Sequence, residues 1–103
     1  MRTIIITGAS GGLAQEMVKL LPKDRVILVG RSKAKLEKLY EEKDNLDLVE
    51  LDITDSSALE SFAERIDSQY GHVDVLVNNA GYGIFEEFDK ISSGDIEAMF
   101  EVN

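Results

Sequence analysis

The sequence predicts an α/β domain with a doubly wound parallel sheet of strand order 3-2-1-4, and three observations lead there. Four runs rich in Val, Ile and Leu, at Thr3 to Thr7, Arg25 to Gly30, Asp47 to Leu51 and Val73 to Val77, each have the length of a strand. Longer segments of helical period lie between them. A glycine-rich turn, Gly8-Ala9-Ser10-Gly11-Gly12, joins the first run to the helical segment that follows. Strands alternating with helices require crossover connections, and right-handed crossovers make the doubly wound arrangement the default.

Taken in order, Thr3 to Thr7 carries Ile4, Ile5 and Ile6 without a polar break, as a strand buried on both faces should. The first helix is expected from Gly11 to about Leu21, with Leu13, Met17, Val18 and Leu21 at helical spacing. Pro22, the single proline, ends it. The second helix reads Ser32 to Lys43 with Leu36, Leu39 and Tyr40 on one face, and the third reads Asp55 to Tyr70 with Leu59, Phe62, Ala63 and Ile66. A loop from Asn78 to Ile91 and a last helical segment, Ser92 to Asn103, complete the chain. With no repeat, low-complexity tract or linker, residues 1–103 are expected to form one domain. The fourth strand is expected to present an unpaired apolar edge, and hence to promote self-association.

Composition narrows the function classes. Hydrophobic residues make up 44% and charged residues 30% of 103 positions, the profile of a globular protein rather than a disordered tail. Against 11 basic residues stand 20 acidic ones, and the net charge of −9 repels nucleic acid and anionic lipid. No stretch approaches a transmembrane helix, and the N-terminal apolar run is too short for a signal peptide, so an intact N-terminus is expected. The lack of cysteine rules out a disulfide framework and a thiolate nucleophile, and is compatible with the cytoplasm, the expected location. A metal site finds no support: His72 is the sole histidine, in a turn ahead of the fourth strand. The adjacent pairs Glu41-Glu42 and Glu86-Glu87 read as solvated carboxylates.

The chemistry is concentrated in two loops. Glycine between a buried strand and a helix permits a sharp turn and close approach of a pyrophosphate, which the N–H groups and dipole at the helix start favour. Gly8, Ser10, Gly11, Gly12 and Leu13 are therefore candidate phosphate-binding residues. Just past the second strand, where the adenosine ribose of a dinucleotide would sit, Arg31 is followed by Lys33 and Lys35. Positive charge opposes the dipole at a helix start, so this cluster points to a ligand phosphate. The end of the second strand carries Gly30 where an acidic residue would bind the ribose hydroxyls of NAD, and NADP is the expected cofactor, with NAD second.

These features resemble the short-chain dehydrogenase/reductase family, in its classical branch, along the whole chain. Thr7-Gly8-Ala9-Ser10-Gly11-Gly12-Leu13-Ala14 is similar to that family's TGxxxGxG loop, with Ala14 where the last glycine is usual. Gly8, Gly11 and Ala14 also suit the spacing of the extended branch, which includes sugar-nucleotide epimerases. Asn78-Asn79-Ala80-Gly81 resembles the NNAG element of the classical branch. The resemblance implies a Rossmann-like fold in which Asn79, Ala80 and Gly81 line the adenosine side and Asn78 braces the sheet. It also implies that Asp52-Ile53 contacts the adenine ring, although Asp52 equally suits a turn or helix cap before Asp55. Glu101-Val102-Asn103 resembles the end of the family's fourth helix, which makes Asn103 a candidate member of an Asn-Ser-Tyr-Lys catalytic set. Asn103 falls three, four and seven residues after Phe100, Met99 and Ile96, on their apolar face.

Tyr40, Tyr70 and Tyr82 are the only tyrosines, and none has a lysine at the fourth following position. The family's proton-transferring Tyr-x-x-x-Lys pair therefore has no counterpart within these residues. The chain is expected to be the N-terminal, cofactor-holding half of an oxidoreductase that interconverts a small carbonyl or alcohol substrate, truncated after the fourth helix and inactive alone. A non-catalytic nucleotide-binding or regulatory module is the alternative from another class. An NAD-dependent epimerase is disfavoured by Asn78 to Gly81.

Overall fold

In the computed structural model, residues 1–41, 43–78 and 84–87 are described, with the backbone alone at 78 and 84–87. The elements are β1 (Thr3–Thr7), α1 (Gly12–Lys19), β2 (Arg25–Gly30), α2 (Lys33–Leu39), β3 (Leu46–Glu50), α3 (Ser56–Tyr70), β4 (Val75–Asn78) and β5 (Ile84–Glu87). The sheet order is β3-β2-β1-β4-β5. The first four strands run parallel in the expected order, with Ile5 opposite both Ile27 and Leu76.

Alternation along the strands divides the interior in two. Ile5, Ile27, Val29, Val49 and Leu76 meet Leu59, Phe62, Ala63 and Ile66 of α3. Ile4, Ile6, Val26, Leu28, Val75 and Val77 face the other way, toward Ala14 of α1 and Leu36 of α2, with Tyr40 just beyond α2. Side chains of one strand point alternately to opposite faces, so the uninterrupted apolar runs of β1 and β2 serve both layers. The helices thus cover both faces of the sheet, as doubly wound topology requires.

Several bounds differ from expectation by a residue or two, α1 ending at Lys19 and β3 spanning Leu46–Glu50 among them, and three differences matter more. The second helix stops at Leu39 rather than Lys43, because Tyr40 turns to extended backbone at φ −120° and ψ 130°. The fourth strand pairs only from Val75, although Val73 is already buried in the core beside α3. The third difference is larger: β5 arises inside the segment expected to be a loop and pairs antiparallel with β4, Val77 opposite Phe85. The sheet is therefore mixed, and the expected open edge at β4 is covered. That removes the premise for self-association through β4. The predicted last helix, Ser92 to Asn103, lies outside the described residues.

Candidate functional site

β1, β2 and β3 run parallel in register, Thr7 beside Val29 and Gly30 beside Glu50, so their carboxyl ends open on one margin of the sheet. A groove of about 700 Å³ lies there. Thr7, Gly8 and Ser10 form its wall after β1, and Gly30, Arg31, Ser32 and Lys35 form the wall after β2. Leu51, Ile53 and Thr54 contribute the side after β3. In an open α/β sheet the crevice beyond the strand ends is where ligands bind.

The glycine loop is tightly held. Gly8 has φ 61°, the left-handed backbone that glycine adopts without penalty, and its carbonyl accepts a hydrogen bond from the Gly11 N–H at 3.1 Å. The Ala9 N–H donates to the Val29 carbonyl of β2 at 3.1 Å, and the buried Tyr40 hydroxyl donates to the Ala9 carbonyl at 2.5 Å.

The three helices start differently. Asp55 caps α3 by accepting from the Ser57 and Ala58 N–H groups. At α2 the Ser32 hydroxyl accepts from the Lys35 N–H, and the Glu50 carboxylate accepts from the Lys33 N–H at 2.9 Å. At α1 the capping residue is Gly11, which has no side chain to cap with, and among the described residues no side-chain cap is seen. Its first-turn N–H groups and the positive end of its dipole suit an external acceptor. A methyl group added at Gly12 would meet nothing within 4 Å, so protein packing does not require glycine there. Both features fit a phosphate drawn close to the backbone.

At the adenosine end, space at Gly30 is tight. A Cβ there would come within 3.2 Å of Leu36, which is fully buried. An acidic side chain at Gly30 would require Leu36 to give by a few tenths of an ångström. Arg31 and Lys35 instead give this wall positive charge in a chain of net charge −9.

Of the candidate residues, Gly8, Ser10, Arg31 and Ile53 line the groove together, while Gly11, Gly12 and Leu13 begin the uncapped α1. Asp52 lies between two lining residues, but its Oδ1 accepts hydrogen bonds from the Thr54 N–H at 2.9 Å and the Thr54 hydroxyl at 2.6 Å. Those bonds, with a smaller contribution from Arg31, hold its carboxyl below the usual carboxylate range. Asp52 therefore forms the turn ahead of α3. Asn79, Ala80, Gly81 and Asn103 lie outside the described residues.

Sequence reasoning missed Ser32 and Thr54 as groove residues. Ser32 had a visible signal, a serine just before a helical segment beside a basic cluster. Thr54 had none, since its place follows from the Asp52 turn. His72 belongs to the opposite end of the sheet: its Nε2 lies 3.1 Å from Asp74 Oδ2, which also accepts from the Thr3 N–H. Tyr70 is equally remote, bonded to Asp47 beneath the Arg25 guanidinium. Among the described residues no group of three or more His, Cys, Asp or Glu could hold a metal, and no helix is long and apolar enough to cross a membrane.

Comparison with known proteins agrees with this geometry. The family model for short chain dehydrogenase matches residues 2–103. An NADP-dependent 3-hydroxy acid dehydrogenase of Shigella flexneri is 31% identical over 104 residues, covering 97% of this chain and 42% of the relative. The crystal structure of a betaketoacyl-[ACP] reductase from Bacteroides thetaiotaomicron superposes with a TM-score of 0.66 at 34% identity, covering 79% of this chain and 41% of that one. A 3-ketoacyl-(acyl-carrier-protein) reductase from Brucella melitensis, solved in complex with NADH, gives a TM-score of 0.62 at 32% identity, over 73% of this chain and 32% of that one. The chain thus spans about two fifths of the length of the curated relative. The glycine loop, the strand order and the family match agree, and the chain belongs to the short-chain dehydrogenase family.

Proposed function

We propose that residues 1–103 hold the dinucleotide of an oxidoreductase that uses NADP(H) to reduce a carbonyl or oxidise an alcohol on a small-molecule substrate. The observation that carries this reading is the uncapped start of α1 beside a glycine loop with open space at Gly12. Gly8, Ser10, Gly11, Gly12 and Leu13 would receive the pyrophosphate, using backbone N–H groups and the helix dipole. Arg31, with Ser32 and Lys35, would receive the 2′-phosphate. Ile53 would lie against the adenine with Asp52 shaping the turn beside it, and Asn79, Ala80 and Gly81 would complete the adenosine side. Asn103 would join the catalytic set. The bound nicotinamide supplies the hydride chemistry. The protein's residues bind and orient the dinucleotide and keep its charged groups paired.

The preference for NADP over NAD rests on Arg31 in the groove wall and on glycine, rather than an acidic residue, at position 30. The Shigella relative is named as NADP-dependent, which supports the same reading, whereas the Brucella reductase was solved with NADH. The cysteine-free composition accommodates a cytoplasmic role.

Calorimetric titration with NADPH and, separately, NADH tests the proposal. Saturable binding is expected, with NADPH preferred. Arg31→Ala should weaken NADPH about tenfold by removing a charge-assisted contact to the 2′-phosphate, and should leave NADH nearly unaffected. Equal weakening of both dinucleotides would remove the 2′-phosphate role of Arg31, and a folded protein that binds neither would remove the dinucleotide reading.

A further inference from the structure

Tyr40 stands outside the groove, beyond the end of α2, yet its hydroxyl touches the glycine loop. The residue is 7% exposed and packs in the core layer with Ala9, Ala14 and Leu36. Its hydroxyl donates to the Ala9 carbonyl, while the Ala9 N–H donates to Val29 of β2. Both backbone polar groups of Ala9 are thereby tied to neighbouring elements, one on each side. Burial pushes the Tyr40 phenol up from its ordinary value, so the group remains a proton donor across the physiological range.

The direction of the Ala9 carbonyl has a consequence for the next residue. No described peptide bond is cis, and a trans peptide sets its N–H antiparallel to its C=O. With the Ala9 carbonyl turned toward the buried Tyr40 hydroxyl, the Ser10 N–H points the opposite way, and Ser10 lines the groove. A buried carbonyl left without a donor would favour rotation of this peptide toward solvent.

We infer that Tyr40 is a positioning residue for the dinucleotide site: by holding the Ala9 carbonyl, it orients the Ala9–Ser10 peptide so that the Ser10 N–H faces the pyrophosphate. This rests on the dinucleotide reading above and adds to it a residue remote from the glycine motif.

The test uses the full-length protein and Tyr40→Phe, which keeps the ring and removes only the hydroxyl. Two probes are titrated: NADPH, and adenosine 2′-phosphate, which carries the 2′-phosphate but no pyrophosphate. The variant should bind NADPH roughly tenfold more weakly, the effect of losing one buried, well-aligned hydrogen bond, and bind adenosine 2′-phosphate as the wild type does. Hydrogen exchange should quicken at Ser10 and Gly11 and stay unchanged along α3. NADPH binding equal to wild type overturns the inference. So does equal weakening of both probes, or loss of the fold, since either assigns Tyr40 to packing alone. If the folded wild-type protein binds neither NADPH nor NADH, it is the dinucleotide reading that fails, before the variant is compared.

Discussion

Gly8 and Gly12 lie in one loop and answer to different demands. Gly8 is glycine because the backbone is left-handed there, with φ 61°. A Cβ at Gly12 would meet nothing within 4 Å, so packing does not account for glycine there, and the proposed reason is the dinucleotide. Gly8→Ala should therefore lower folding stability by about 1–2 kcal/mol, the cost of a Cβ in left-handed backbone. Gly12→Ala should change stability by less than about 0.5 kcal/mol while weakening NADPH binding. Urea unfolding alongside calorimetry separates the two effects; a Gly12→Ala variant that binds NADPH unimpaired would release Gly12 from the ligand role. At this scale the glycines and Arg31 were legible because their residue types carry the reason for their positions. Asp52 was ambiguous for the same reason, since a carboxylate suits a turn as well as a ligand, and the Thr54 bonds that give its Oδ1 a place in the turn are local geometry.

Among the elements, α3 is tied most firmly at its C-terminal end. Tyr70 donates to Asp47 of β3 at 2.7 Å, Arg65 pairs with the same carboxylate at 2.7 Å, and Arg25 of β2 lies 5.0 Å above the Tyr70 ring. Burial, and then the hydrogen bond to Asp47, push the Tyr70 phenol up to about 12. The unfolded chain loses its phenol proton first, near the usual value of about 10. The stability that Tyr70 contributes is therefore fully present below about pH 10 and is lost as pH rises toward 12. Urea midpoints followed across that window should fall in the wild type, and Tyr70→Phe should flatten the slope. A wild-type midpoint that is constant across the window would contradict the linkage.

The amphipathic spacing of α3 and the apolar runs of β1 and β2 were readable because burial imposes a period on the sequence. The end of α2 and the existence of β5 were not. Tyr40 leaves the helix at a place where its spacing still suits a helical face, and its hydroxyl meets a partner 31 residues away. Ile84-Phe85-Glu86-Glu87 shows no alternation, and its strand identity comes from the edge of β4 beside it.

For the molecule as a whole, charge and topology set two further behaviours. With a net charge of −9, self-repulsion opposes the compact state and salt screens it. The ligand-free melting temperature should rise as sodium chloride is increased toward roughly 0.5 M, where exposed charges interact only over a few ångströms. A fall over that range would mean that attractive pairs such as Arg2–Asp24 outweigh the repulsion. The placement of β1 bears on how the protein is made. β1 leaves the ribosome before both strands that it pairs with, β2 on one side and β4 on the other. The Thr3 N–H waits for an Asp74 carboxylate 71 positions downstream. At about 5–20 residues per second, the interval between their synthesis is roughly 4–14 seconds. Throughout that interval Ile4, Ile5 and Ile6 lack one neighbouring strand, which makes this apolar stretch of the nascent chain a natural client for a ribosome-bound chaperone.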